Sequence, residues 1–330
     1  MKSPQKFSFD PLPKGFVTNK PLDQEAYNES IIYELERENK LLISRKRNGW
    51  KLYIVSHGDK IKIYTVGLHR VEYRLPHLVE EYEKLRLPSS TLLVAEAHIE
   101  KNGIDQLGLI QSVLNVKSDP KKSIESQEKL GFAKTMIFGA LFFNNKDLSV
   151  LPYSNQYDVI KNTNDRNINL KYIFPIEMLD CSYDKAKEMV LEKEWEGLVL
   201  YDKDYRFAYS VRGSKRPQRP KGCYKKKPET EGDFIVREII FSDIHKKRVK
   251  EVVLNQIDPV TGEEFQCGKF GKFTDLVREN LKREEADLPL VMQVTYESRF
   301  PSGKLVNAKK FVRLRYDKRS EECLAPKSYK

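Results

Sequence analysis

Apolar and polar positions alternate in short blocks along most of this chain, and the period of each block predicts its element. "DQEAYNESIIYELERENKL" (23–41) carries apolar residues at helical spacing and reads as an amphipathic helix. "ISRKRNGWKLYIV" (43–55) is an apolar run broken by Arg45-Lys46-Arg47-Asn48-Gly49 and then resumed. Its Asn-Gly pair reads as a tight turn joining two strands. "WKLYIVS", "KIKIYTV" and "STLLVAEAHI" read as strands, with a helix at "LPHLVEEYEKLRL" (75–87) between the last two. "KTMIFGALFFN" (134–144) suits a buried strand, "SYDKAKEMVLEKEW" (182–195) a helix, and "EGLVLYD" (196–202) a strand again. After Pro228 five short strands and one helix (Thr274–Arg283) follow, separated by turn signals. That pattern fits a small Greek-key barrel of the OB type. The expected division is a loose, Pro- and Lys-rich arm at 1–22, a first domain at 23–229 and a barrel at 230–330, with no internal repeat.

Composition narrows the classes. With 330 residues, 39% apolar and 11% aromatic, the chain can bury real cores. No run of about 18 apolar residues is present, so no spanning helix and no membrane role are expected. The start "MKSPQKFSFDPLPKGF" lacks an apolar h-region, which argues against secretion and for a cytoplasmic protein. The net charge of +11 suits a polyanion, of which nucleic acid is the commonest. Between Tyr205 and Pro228 there is no acidic residue, but Arg206, Arg212, Lys215, Arg216, Arg219, Lys221, Lys225, Lys226 and Lys227 are there. That stretch is either a solvated loop or a phosphate-facing surface. Cys181, Cys223, Cys267 and Cys323 lie far apart, and the five histidines show no ligand spacing, so neither zinc nor a disulfide framework is expected.

The chemistry-bearing positions are few. Neither a P-loop nor a dinucleotide glycine fingerprint occurs. Lys46 sits beside a turn between apolar strands, flanked by Arg45 and Arg47. Desolvation and neighbouring cations would lower its pKa and make it a nucleophile. Taken alone, a solvated turn lysine is the commoner case. Glu96 lies inside the apolar strand "LLVAEAHI" and Glu196 just before "GLVLY"; two such carboxylates on one surface could hold Mg²⁺. Glu196 reads equally as a strand-end carboxylate, and Phe138 as plain core. Lys225 and Lys227, two apart in a strand, point to one face and suit a triphosphate.

The order Lys46-Arg-Asn-Gly, Glu96, Phe138-Gly, Glu196-Gly-Leu-Val, Lys225-x-Lys227 and Arg315-x-Asp-Lys318 resembles that of the covalent nucleotidyltransferases. These are ATP-dependent DNA ligases, RNA ligases and mRNA capping enzymes. The ending "FVRLRYDK" and the segment "GKFGKFTD" look most like a compact DNA ligase of phages and large DNA viruses. The resemblance implies an α+β fold: an ATP-grasp-like nucleotidyltransferase domain of antiparallel sheets flanked by helices, then an OB-fold barrel. It implies ATP and Mg²⁺ as cofactors and nicked double-stranded DNA as substrate, for a monomer with no protein partner. Lys46 would attack the α-phosphate and carry AMP. Glu96 would bind ribose or metal, Phe138 would stack on adenine, and Glu196 would ligate the metal. Lys225 and Lys227 would contact the α-phosphate. Arg315 and Lys318 would orient pyrophosphate as the barrel closes over the site. Lys51 and Arg70 stand near positions where the family has nucleotide-contacting arginines. Asn48 replaces the aspartate common in DNA ligases, and no Asp-Gly precedes Glu96. An RNA ligase, a GTP-using capping enzyme and a non-catalytic nucleic-acid-binding protein are the alternative readings.

Overall fold

The computed structural model describes residues 7–58, 60–115, 117, 119–164, 169–211, 217–245, 247–300 and 302–326. Arg212, Lys215 and Arg216 of the basic stretch lie outside the described residues. The chain forms two compact units, Met1–Lys227 and Pro228–Lys330. Among the described residues no helix is long and apolar enough to cross a membrane.

The first unit runs α1 (Ser30–Arg37), β1 (Leu41–Arg45), β2 (Trp50–His57), β3 (Lys60–Thr65), α2 (Pro76–Lys84), β4 (Thr91–His98), α3 (Leu107–Leu114) and α4 (Pro120–Leu130). It continues with β5 (Lys134–Phe143), α5 (Tyr153–Asn164), β6 (Ile173–Pro175), α6 (Tyr183–Glu192), β7 (Leu198–Asp202) and β8 (Cys223–Lys226). Two sheets result. The larger has the order β6-β5-β4-β2-β3, antiparallel except for the short β6–β5 pair. The smaller, antiparallel, has the order β8-β7-β1. The alternation read in the sequence is explained by this layering. Leu52, Ile54, Leu93 and Val94 are fully buried, so the central strands are apolar on both faces.

Two expectations fail here. Residues 43–55 do not form a hairpin: β1 joins the smaller sheet and β2 the larger, so Lys46–Gly49 crosses from one sheet to the other. The Asn-Gly signal reports only local backbone preference, whereas the crossing is held by contacts distant in sequence. Gly49 is required at that crossing, because a Cβ there would lie 2.2 Å from the Ala97 carbonyl oxygen. Nor is the arm loose. Phe9, Leu12 and Phe16 are buried, and Phe7 stacks on Phe142 at 4.5 Å. Val17–Thr18 pairs antiparallel with Tyr209–Ser210, and Leu22 is bridged to Tyr224 of β8.

The second unit holds β9 (Thr230–Phe241), β10 (Val249–Ile257), β11 (Glu264–Phe270), α7 (Asp275–Arg283), β12 (Leu290–Arg299) and β13 (Leu305–Leu314). Its antiparallel sheet has the order β11-β10-β9-β12-β13 around a core that includes Phe234, Leu254, Met292 and Val294. Thr274 caps α7 by accepting from the Val277 N–H.

Candidate active site

The two sheets of the first unit face one another across a cavity of about 580 Å³, a size that suits a nucleotide. The smaller sheet supplies charge. Lys46 follows β1, and its N–H donates to the Gly197 carbonyl at 2.8 Å, which ties the turn to the start of β7. A Cβ on Gly197 would lie 2.2 Å from the Lys226 carbonyl oxygen, so only glycine lets β7 start this close to the end of β8. Glu196 thereby reaches two ammonium groups: Lys46 Nζ lies 2.6 Å from Oε2 and Lys227 Nζ 3.1 Å from Oε1. Lys225 lines the cavity and pairs with Asp23, which also holds Arg219 at 2.9 Å. Lys226 points the other way, to Glu29 at 3.3 Å, as strand alternation requires.

The larger sheet supplies a floor. Lys51 on β2 sits opposite Glu96 on β4, and Glu96 opposite Met136 on β5. Phe138 lies on the edge of the same cavity with Met136 and Ile176. Lys51 Nζ donates to Thr18 Oγ1 at 2.9 Å and stands 6.0 Å from the Phe138 ring centre. Burial pushes the Lys51 ammonium down to about 8, against the pull of Glu96. Burial likewise pushes Glu96 up to about 7, although the charges of Lys46 and Lys51 oppose it. Glu196 adds to that rise, so the two carboxylates feel one another inside the cavity. Both are hard oxygen donors of the kind Mg²⁺ takes, and both oxygens of Glu196 are held here by Lys46 and Lys227, so the ion would take Glu196 in exchange for an ammonium group.

The turn itself is braced from outside. Asp105 accepts from the Asn48 N–H at 3.0 Å and from Arg47 at 3.0 Å, and lies 3.3 Å from Arg45. Glu100 takes Arg47 at 2.7 Å. His98, Glu100 and Asp105 have ligand atoms within 4.8 Å of one another, but the guanidinium groups already hold both carboxylates.

Of the residues expected from sequence, Lys46, Lys51, Glu96, Phe138, Glu196 and Lys225 line this cavity, and Lys227 joins it through Glu196. Arg70 does not: it is spent on Glu72, with Nε 2.6 Å from Oε1, and does not border the cavity. The chain turns back at Tyr64–Arg70, so Val66 borders the cavity instead. Arg315 and Lys318 belong to the second unit, where both bond Asp233. Asn19, Lys20, Pro21 and Arg219 line the cavity and were not singled out from sequence as site residues. The signal that could have found the first three is the aromatic content just before them, which foretells packing.

The cavity thus joins Lys46, held against Glu196, with Lys227 on the same carboxylate and the ring of Phe138 at its edge. Residues 24–216 match the family described as "ATP dependent DNA ligase domain", more than half of the chain. The chain belongs to that family, whose members seal nicks in DNA with ATP and Mg²⁺ through a lysyl-AMP intermediate. Among solved structures, the chain described as Pmar-Lig_PreS3 is 16% identical, with TM-score 0.60 over 91% of this chain and 68% of that one. A structure from work on DNA binding by Lig E DNA ligases is 15% identical, with TM-score 0.54 over 84% of this chain and 93% of that one. At these identities the likenesses speak for the fold.

Proposed function

We propose that Lys46 is the residue that carries AMP, within a first domain reaching to about residue 229 and followed by an OB-type barrel. The observation that carries this reading is the Lys46–Glu196–Lys227 chain at the wall of the cavity. Lys46 must lose a proton before it attacks, and Glu196 Oε2, 2.6 Å from Nζ, is within reach to take it. The amine then forms a bond to the α-phosphorus, the bond to the β-phosphate oxygen breaks, and pyrophosphate leaves with the electron pair. Phe138 stacks on the base, while Lys225 and Lys227 neutralise charge on the phosphates. Glu96 and Glu196 would hold Mg²⁺, which when bound screens the phosphate charge. Lys51 stands in for the family's arginine beside the nucleotide. Arg315 and Lys318 orient pyrophosphate in this first step.

The barrel reading is supported by β9 pairing with both β10 and β12, by α7 falling between the third and fourth strands, and by the Phe273–Phe311 ring contact at 6.0 Å. The enzyme acts as a monomer in the cytoplasm or at a viral replication site. The test is incubation with α-labelled ATP or GTP and Mg²⁺, then denaturation. A covalent label is expected from ATP and none from GTP, and Lys46→Ala should abolish it. A label surviving that substitution would overturn the assignment. Nicked duplex DNA should then be sealed in preference to nicked RNA.

A further inference from the structure

We propose that Asp233 is a positioning residue for lysine adenylylation, fixing Arg315 and Lys318 as one rigid pair of cations; this rests on the role given to those two residues above. Asp233 lies on β9, opposite Gln293 of β12, which in turn lies opposite Arg313 of β13. The chain leaves β13 and turns: the Arg315 N–H donates to the Val291 carbonyl at 2.7 Å and the Lys318 N–H to the Arg315 carbonyl at 3.2 Å. Both side chains are thereby brought back over β9. Arg315 Nη1 lies 3.2 Å from each oxygen of Asp233, and Lys318 Nζ lies 2.7 Å from Oδ2. Asp317 takes the other edge of the guanidinium, with Nε–Oδ1 and Nη2–Oδ2 both 2.9 Å.

The two carboxylates differ. Asp317 is 67% exposed, whereas Asp233 is 13% exposed, between cations that are 17% and 23% exposed. A carboxylate in water can be replaced by water. An enclosed one cannot, and its loss removes the anion that Arg315 and Lys318 share, leaving Arg315 with Asp317 on one edge only. Arginine and lysine side chains carry rotamer entropy, which a mobile pair would lose on meeting a polyanion. Asp233 removes that cost beforehand, and preorganised cations are what in-line phosphoryl transfer needs from the protein. The backbone of Asp233 is held in turn, since Gln256 Nε2 donates to its carbonyl at 2.8 Å.

The test compares the full-length protein with Asp233→Asn and Arg315→Ala in two assays, self-adenylylation with labelled ATP and sealing of a pre-adenylylated nick. Asp233→Asn is expected to slow self-adenylylation about 10- to 100-fold, with sealing of the pre-adenylylated nick within about twofold. Asp233→Glu, which keeps the charge, should show a smaller loss confined to the same step, and it serves alone if Asp233→Asn does not fold. Self-adenylylation at or above the unsubstituted rate in Asp233→Asn would mean that Asp233 merely masks the cations, and would overturn the proposal. Equal loss in both assays would overturn it too, as general damage to the second unit. If Arg315→Ala slows only the first step and Asp233→Asn slows neither, this inference falls and the reading of Arg315 stands. If Arg315→Ala is not step-selective, that reading falls first.

Discussion

In the first unit Glu196 sits between two ammonium groups; in the second Asp233 sits between a guanidinium and an ammonium. The motif is the same, but the surroundings differ. Around Glu196 the two sheets enclose charge, and burial drives Lys51 down and Glu96 up, toward their neutral forms. Asp233, on β9, is about as enclosed as Glu196, at 13% against 15% exposed, but its partner Arg315 is also held by a second carboxylate, Asp317. Hydrogen bonding to Asp317 raises Arg315 further, and hydrogen bonding to Arg315 pulls Asp317 down to about 2. The burial that disfavours charge acts on Lys51 and Glu96, the floor beside the Glu196 triad. Pairing that favours charge makes permanent cations that can only orient. On the reading proposed above, the Glu196 triad would serve reaction and the Asp233 triad placement.

The contrast can be broken by experiment. Glu196→Gln should have the largest effect, a fall of about 100-fold or more in the rate of covalent labelling, since Lys46, the proposed nucleophile, and Lys227 lose a charged partner. If Asp233→Asn costs more than Glu196→Gln in that assay, the division into reactive and orienting triads fails. Phe138→Ala should raise KM for ATP about tenfold and leave kcat within about threefold, because stacking on the base is worth ~1–3 kcal/mol whatever the reaction step. A drop in kcat alone would move Phe138 from binding to chemistry. Arg70→Ala should change every step by less than about threefold, as expected for an exposed ion pair outside the cavity. A tenfold loss there would bring Arg70 back to the nucleotide.

How much was legible depended on distance along the chain. The strand at 134–144, the helix at 75–87 and the five strands after Pro228 are periodic within themselves, and the structure has all of them with ends shifted by a few residues. Six of the residues singled out in sequence, Lys46, Lys51, Glu96, Phe138, Glu196 and Lys225, line one cavity, and strand pairing helps to gather them: Lys51 opposes Glu96, and Lys225 opposes Val199 three residues past Glu196. Three things were hidden. The Lys46 turn looked like a hairpin because nothing in 43–55 says that its two strands join different sheets. The segment before Asp23 looked loose because Phe7, Phe9 and Phe16 have no period, although each finds a ring, such as Phe16 on Tyr53 at 5.0 Å. Asp23, Asp105 and Asp233 were ordinary acidic residues in sequence; each gains meaning only from partners far away.

One wall of the cavity comes from residues ahead of the recognised family region. The match begins at residue 24, yet Asn19, Lys20 and Pro21 border the cavity and Thr18 receives the Lys51 ammonium. A version started at residue 24 would keep Lys46, Glu96, Glu196, Lys225 and Lys227 while stripping one side from the space they surround. Full motif content would then accompany a gaping vessel, and a screen of truncated clones would mistake poor cloning for a dead enzyme.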